Sequence, residues 1–355
     1  MSVDLANLRI GYVPYTGKMD HPGDSRRFCY YAKKRNIAFE IADPSESYDL
    51  VIVTELGDLS VWGDYHKGKA KVIYDFIDSY LAISKLDVKG MLRGFAKYVT
   101  RQSRYMRLNH WKAIEDMCRR SDAVICTTVE QRDDISKFCK NVHLILDVHS
   151  LYNKVKTDYS AGKVFNLAWE GYPHNLPPFF EIRDVLKTLS AKRDIALHLV
   201  TSLEYGQFMG KYWKRHTTDI ARKIFDNVYL YSWNEQLCPT IICACDMAIV
   251  PLSLNDPLSS GKPEDKLMLF WRMGMPTLAS ATPAHLEAMA KNGLQNMACK
   301  TPGEWQAALE YYMSDESARR HAGQRSRIFA ESYRNEEKIL EQWDNLFASV
   351  LGELK

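Results

Sequence analysis

The sequence predicts an α/β protein of two domains, each a doubly wound parallel sheet, and three observations carry that expectation. Short runs rich in Val, Ile, Leu and Tyr alternate with longer segments of helical period, which is the pattern of parallel βαβ units. The alternation comes in two series, separated by the polar stretch Tyr152–Gly162 with Asn153, Lys154, Lys156 and Asp158. At 355 residues the chain also exceeds what one hydrophobic core usually organises.

In chain order, the first series gives expected strands at Leu8–Pro14, Ile37–Ala42, Asp49–Thr54, Lys71–Phe76, Asp122–Thr127 and Val142–Asp147. The second gives Lys163–Trp169, Ile195–Thr201, Asn227–Tyr231, Met247–Pro251, Pro276–Ala279 and Asn296–Cys299. The last segment carries Ile339, Leu340, Trp343, Leu346, Phe347, Val350 and Leu351 at helical spacing and reads as a packed terminal helix. The expected organisation is thus a first domain over residues 1–155, a second over 156–335, and a helix over 336–355 returning to the first. Ligands of such sheets sit outside the carboxyl ends of the strands, so the loops after each strand are where chemistry is sought. Two lobes in series are expected to set two such rims face to face across a cleft.

The apolar share of 46 % and charged share of 26 % are those of a soluble globular protein. The longest apolar stretch, Thr240–Leu254, is interrupted by Asp246 and Pro251, so no membrane span is expected. Met1 to Asn7 lacks a basic region followed by an apolar one, and a cytoplasmic location is expected. The eight cysteines form no C-x-x-C pair and no His spacing that marks zinc, so no structural metal is expected. Net charge is +3, too small to name a partner by itself.

Several chemistries lack their motif. The loop after the first strand, Tyr15 to Arg26, has no G-x-G-x-x-G for a dinucleotide, and the chain has no G-x-x-x-x-G-K-[ST] and no G-x-S-x-G. No Asp-x-Asp occurs, so the usual carboxylate pair holding a metal under a sugar nucleotide is missing.

One segment does carry chemistry. Asp246 to Leu252, then Ser259-Ser-Gly-Lys-Pro-Glu-Asp-Lys-Leu267, then Met273 to Ser280 reads as strand, Gly/Ser loop, helix start, helix, Gly turn and strand. Unpaired amides around Gly261 to Asp265, with the positive end of the helix dipole, attract a phosphate, and Lys262 and Lys266 add mobile positive charge. Ser259, Ser260 and Pro263 read equally well as ordinary helix-start signals, and the spacing alone leaves both readings open.

These residues resemble the donor-binding half of GT-B-fold glycosyltransferases, in particular glycosyltransferase family 4. The matching pieces are Asp246–Pro251, Lys266-Leu267 and Gly274-Met-Pro-Thr-Leu-Ala-Ser280, with weaker matches at Ala168–Gly171, Tyr231–Asn234, Gly303–Leu309, Tyr74–Asp78 and Asp122–Thr128. The resemblance implies a GT-B architecture of two Rossmann-like domains and a transferase that moves a sugar from a nucleotide-sugar donor to a glycan or lipid-linked acceptor. It implies retention, in polysaccharide or glycoconjugate synthesis, and with Asp-x-Asp missing no metal or other cofactor is expected. Family members commonly carry two glutamates where this chain has Gly261 and Leu269, so the ribose contact of the second does not carry over. Asp265, one turn before Leu269 on the same helix face, is the expected substitute. The loss also leaves open a non-catalytic scaffold of the same fold, and a sugar-nucleotide epimerase or a phosphorylase stays open beside it.

Departure of a diphosphate leaves extra negative charge, which the start of the helix at Gly261–Lys266 and Lys262 in particular are expected to stabilise. Gly171 would let backbone approach the diphosphate, or serve as a turn glycine, and Trp233 would stack on the base, or pack in the core. On the acceptor side the candidates are Asp20 and His21 after the first strand, and Asp75 and Asp78 after the fourth, with His21 or Asp78 as a base if the course is inverting. Asp78 equally suits a helix cap and His21 a turn.

Lys89, Arg93, Lys97, Arg101, Arg104 and Arg107 recur every three or four residues and on a helix would form one basic face, beside apolar Met91, Leu92, Phe95, Tyr98, Val99 and Met106. Such a face adheres to anionic lipid at about 1 kcal/mol per basic side chain, so Arg93, Lys97, Arg101 and Arg104 are candidate contacts to a membrane surface. A solvated or internally paired basic face is the other reading. Nucleic acid is not expected, since no recognition module accompanies the stripe.

Overall fold

In the computed structural model, which describes residues 5–19, 21–82, 88–149, 152–207 and 213–352, the chain divides into two units. Met1–Val148 with Glu336–Lys355 form the first, and His149–Asn335 the second.

The first unit is built on six parallel strands: β1 Ile10–Val13, β2 Glu40–Ile41, β3 Leu50–Thr54, β4 Lys71–Asp75, β5 Ala123–Cys126 and β6 Val142–Leu144, in the order β2-β1-β3-β4-β5-β6. Strands β1, β3 and β5 are buried at every residue, as the unbroken apolar runs of a sheet covered on both faces must be. The expected second strand shrinks to Glu40–Ile41, whose two residues are exposed at the sheet edge and pair with β1 alone. The helix Glu336–Leu351 belongs to this unit. Its Ile339, Leu340, Trp343, Leu346, Phe347 and Val350 join the core of Phe28, Tyr31 and β1. Tyr31 stacks on Trp343, its hydroxyl donates to Asp344 at 2.7 Å, and Arg35 bridges the same carboxylate at 2.7 Å. Each large apolar side chain buried there is worth about 1.5–3 kcal/mol.

In the second unit, β7 Phe165–Glu170, β8 Ile195–Thr201, β11 Val228–Ser232, β12 Met247–Val250, β13 Thr277–Ser280 and β14 Ala298–Cys299 form a parallel sheet in the order β11-β8-β7-β12-β13-β14. Counted within the unit this is 3-2-1-4-5-6, the order of a dinucleotide-type doubly wound sheet, and it reverses between β7 and β12. A separate antiparallel pair, β9 Glu204–Gln207 and β10 Trp213–His216, was not expected. Its residues are polar and lack a period of two, so the apolar pattern carried no signal.

The stretch expected as a polar linker is instead fastened along the second unit. Lys156 N donates to Met273 O at 2.8 Å, and its buried ammonium donates to the carbonyls of Cys245 at 2.6 Å and Cys243 at 3.3 Å, at the end of the helix Cys238–Ala244. Tyr159 Oη donates to Gly274 O at 2.9 Å, and Arg319 donates to Tyr159 O through Nε and Nη2. Gly274 has φ +71, which only a glycine adopts without strain, and it closes the turn from the helix Asp265–Arg272 into β13.

Gly323, inside the helix Glu316–Tyr333, lets that helix meet the turn. A Cβ there would lie 2.3 Å from Gly274 O and 2.5 Å from the Tyr159 ring. Gly323→Ala gains about 1 kcal/mol of helix propensity but forces apart packed backbone, at about 1–3 kcal/mol. Denaturant unfolding of the variant is expected to show net destabilisation, and a more stable variant would refute the close approach.

Candidate functional site

The second sheet reverses its order between β7 and β12, whose carboxyl ends lead into Gly171 and Pro251. Glu170 ends β7 and is buried. Its Oε1 accepts from Trp233 Nε1 at 3.0 Å and its Oε2 from the Lys266 ammonium. Lys262 Nζ donates to Asn175 Oδ1 at 2.8 Å, and Asn175 closes the turn Pro173–Asn175 that follows Gly171. Lys266 is thereby drawn to the end of the unit's first strand and Lys262 to the turn that follows it. Sequence reasoning named both lysines and Trp233 but missed the partners that aim them. Glu170 was legible as the last residue of a strand that opens the unit; Asn175 carried no signal.

The helix Asp265–Arg272 does start at this rim, with Glu264 at its N-cap and no side-chain cap bond. Its positive end already meets two carboxylates. Arg334, buried, donates from Nη2 to Glu264 Oε1 at 3.1 Å and from Nη1 to Asp265 Oδ1. The positive charge at this rim is therefore carried by Lys262 and Lys266 more than by the dipole. Asp265, expected near a ribose, is committed to Arg334, and Leu269 is buried in the core. Gly171 has a local cause: a Cβ there would stand 2.7 Å from the Trp169 indole. Trp233 keeps its ring half-buried with its N–H fixed on Glu170, so its orientation is set before any ligand arrives. The Ser260 side chain lies outside the described residues, and Gly261 sits in the loop that carries Lys262.

In the first unit the sheet order turns between β1 and β3. His21 caps the helix Pro22–Arg26, its Nδ1 accepting from Gly23 N at 3.0 Å while its ring stacks on Tyr15. That bond places the ring proton on Nε2. Asp20 lies outside the described residues. Asp75 corrects an expectation: it is 1 % exposed and both its oxygens accept from Arg27, which also donates to Asp147 at 2.7 Å. A carboxylate buried and paired in this way is a structural ion pair, closed off from an acceptor.

Glu55, directly after β3, was missed although the rule of searching loops after strands covers it. Its Oε2 accepts from the amides of Ile77 and Asp78 at 3.0 and 2.9 Å. Burial, and then the negative charge of Asp78, push its carboxyl group up to about 8. The loop that holds Asp78 is itself fixed, Gln131 Nε2 donating to the carbonyls of Phe76 and Asp78 and Thr127 Oγ1 to that of Ile77. Glu55, its carboxyl held toward the neutral form, thus stands beside Asp78 at a strand end, an arrangement that suits binding a hydroxyl group.

The basic face expected around residue 100 is not continuous. The helix Val88–Val99 stops before Arg101, Arg93 lies over the rings of Tyr80 and Trp111, and Lys97 is turned toward His110. Arg101 and Arg104 remain exposed.

No protein-family profile and no curated protein matches the chain. Among solved structures it is similar to TarM of S. aureus in complex with fondaparinux, α-GlcNAc-glycerol and UDP, at 13 % identity and a TM-score of 0.58, over 84 % of this chain and 55 % of that one. It is similar to sucrose-phosphate synthase from Thermosynechococcus elongatus, at 14 % identity and a TM-score of 0.56, over 92 % and 77 %. A protein of Listeria monocytogenes assigned as a UDP-N-acetylglucosamine 2-epimerase matches at 11 % identity and 0.52, over 98 % and 97 %. The chain spans little more than half the length of TarM. What these likenesses establish is the fold: two α/β units of six parallel strands each, as in GT-B glycosyltransferases.

Proposed function

We propose that the chain is a glycosyltransferase that takes a nucleotide-sugar at the rim of its second sheet and passes the sugar to a glycan or lipid-linked acceptor held by the loops of its first. The observation that carries this reading is the placing of Lys266 on the end of β7 and of Lys262 on the turn that follows it, at the point where the strand order reverses. The GT-B fold supports it, as does the resemblance of Gly274–Ser280 to family 4. Lys262 and Lys266 would hold the diphosphate and answer the charge it gains as the anomeric bond breaks. The chain lacks Asp-x-Asp, and we propose that no metal is needed. Retention is the expected course, the departing diphosphate taking the acceptor proton, with Glu55 and Asp78 orienting the acceptor hydroxyl. A sugar-nucleotide epimerase is the second reading, favoured by the end-to-end match with the Listeria protein. It would turn over donor with no acceptor present, which the transferase would not.

A thermal-shift screen against UDP, GDP, CMP, dTDP and their sugars is expected to give a selective rise in melting temperature, since a ligand of the native state alone stabilises it. Lys262→Ala is expected to abolish the shift. Lys266→Ala is better paired with Glu170→Gln, because removing the lysine alone leaves a buried carboxylate short of a partner, at about 1–3 kcal/mol. No shift with any nucleotide at millimolar concentration would sink the reading.

Glu55 adds a pH signature. With its folded-state value near 8, the ionised form that accepts from a hydroxyl grows in as pH rises, so kcat/KM for the acceptor is expected to climb through pH 8 and to be flat in Glu55→Gln. Because the folded value is raised above the unfolded one of about 4.3, the stabilising contribution is full below the latter and is lost as pH rises toward 8. Wild-type Tm is therefore expected to fall between pH 5 and 9 more than that of Glu55→Gln. Parallel curves for the two proteins would remove Glu55 from the site.

A further inference from the structure

The segment from the helix Val88–Val99 through Asn109, read from the sequence as one basic helix face, folds back on itself. The helix ends at Val99, Thr100 returns its hydroxyl to Ala96 O at 2.7 Å, and Arg101 takes φ +58, so the chain reverses. The return pass lies against the helix at Gly94, where a Cβ would stand 2.1 Å from Arg107 O and 2.7 Å from Leu108 O. The two passes thus pack directly against each other. The side chains of residues 88–91, Lys89 and Met91 among them, lie outside the described residues.

The reversal sorts the side chains. Arg93 stacks on Tyr80 and Trp111, Arg107 pairs with Asp64, and Lys97 donates to His110 Nε2 at 3.3 Å. Burial pushes Lys97 down to about 8 and His110 down to about 3. Two of the four expected basic contacts, Arg93 and Lys97, are thereby engaged within the unit, and the side chains exposed along the segment are largely apolar: Leu92, Phe95, Val99, Tyr105, Met106 and Leu108, with Leu92 and Leu108 at 62 %. Isolated exposed apolar residues need no cause, but six on one folded-back segment form a patch that does.

Charge says what covers it. Between Val88 and Asn109 there are six Lys and Arg and no Asp or Glu. Arg101 and Arg104 border a shallow depression of about 530 Å³ whose other walls are Asp58, Tyr98, Val99 and Ser103. The single carboxylate there is already occupied, Asp58 accepting from Ser60 N and Oγ and from Arg104 N. An apolar face rimmed by cations is what an interfacial segment presents to lipid, with the apolar side chains among the acyl chains and the guanidinium groups at the headgroups. No described helix is long and apolar enough to cross a membrane.

We propose that this face docks the protein on an anionic lipid surface by inserting Leu92, Phe95, Val99, Met106 and Leu108, with Arg101 and Arg104 holding phosphate headgroups. The attachment is independent of whether the chain transfers a sugar. Its test is flotation of the full chain with vesicles of phosphatidylglycerol and phosphatidylcholine in equal parts, against vesicles of phosphatidylcholine alone, at low and high salt. Variants are Leu92→Ser with Phe95→Ser and Leu108→Ser, and Arg101→Glu with Arg104→Glu, each checked for an unchanged melting temperature. Flotation is expected with the anionic vesicles alone, weakened by salt and reduced at least tenfold by either variant. Absence of flotation, or flotation that survives the apolar variant, overturns insertion. A doubled mass in light scattering that the apolar variant restores to one chain also overturns it, assigning the face to a second copy.

Discussion

A carboxylate at the end of a buried parallel strand must be answered by a cation or by backbone amides, and this requirement organises both rims of the molecule. The interior strands leave no other place for polar groups, because every residue of β1, β3, β5 and β12 is buried. Asp75 at the end of β4 is answered by Arg27, Glu170 at the end of β7 by Lys266 and Trp233, and the acidic start of the helix Asp265–Arg272 by Arg334. Removing one partner of such a pair strands a charge, which is why single substitutions at these positions report on folding as much as on binding.

Glu55 departs from that pattern. It has two amide donors, and its burial and the negative charge of Asp78 outweigh them, so its charge is resisted instead of matched. Local rules are broken most often where a site must do something, and the break here lies at the strand end next to the reversal of the first sheet.

Much of this was legible in the sequence because apolar period is a strong signal. The interior strands were placed within a few residues, and Ile195–Thr201 to the residue. Lys262 and Lys266 were named on the order strand, loop, helix, turn, strand, and Trp233 on the weaker match at Tyr231–Asn234; Lys266 and Trp233 bond to Glu170, and Lys262 to Asn175 in the turn beyond it. What escaped depends on partners distant in the chain. Asp75 looked like a loop acid until Arg27, 48 positions away, was seen to saturate it. The regular spacing of Lys and Arg around residue 100 implied one basic face. The reversal at Arg101 and the close pass at Gly94 dispersed it, since spacing describes a helix only as far as the helix runs. Polar stretches without period, such as Tyr152–Gly162, hid a segment pinned by Lys156 and Tyr159.

The placement of the helix Glu336–Leu351 bears on how the protein is made. The second unit is one unbroken piece of chain, whereas the first is interrupted by all of it, with Phe28 and Tyr31 waiting for Trp343 and Phe347. During synthesis from the N-terminus the unit begun first is therefore closed last, and its aromatic surface stays open for the time taken to add nearly two hundred residues at about 5–20 per second. Over that interval of some tens of seconds or less, a nascent chain with exposed Phe28 and Tyr31 is a substrate for chaperones, and the terminal helix acts as the latch that ends the exposure.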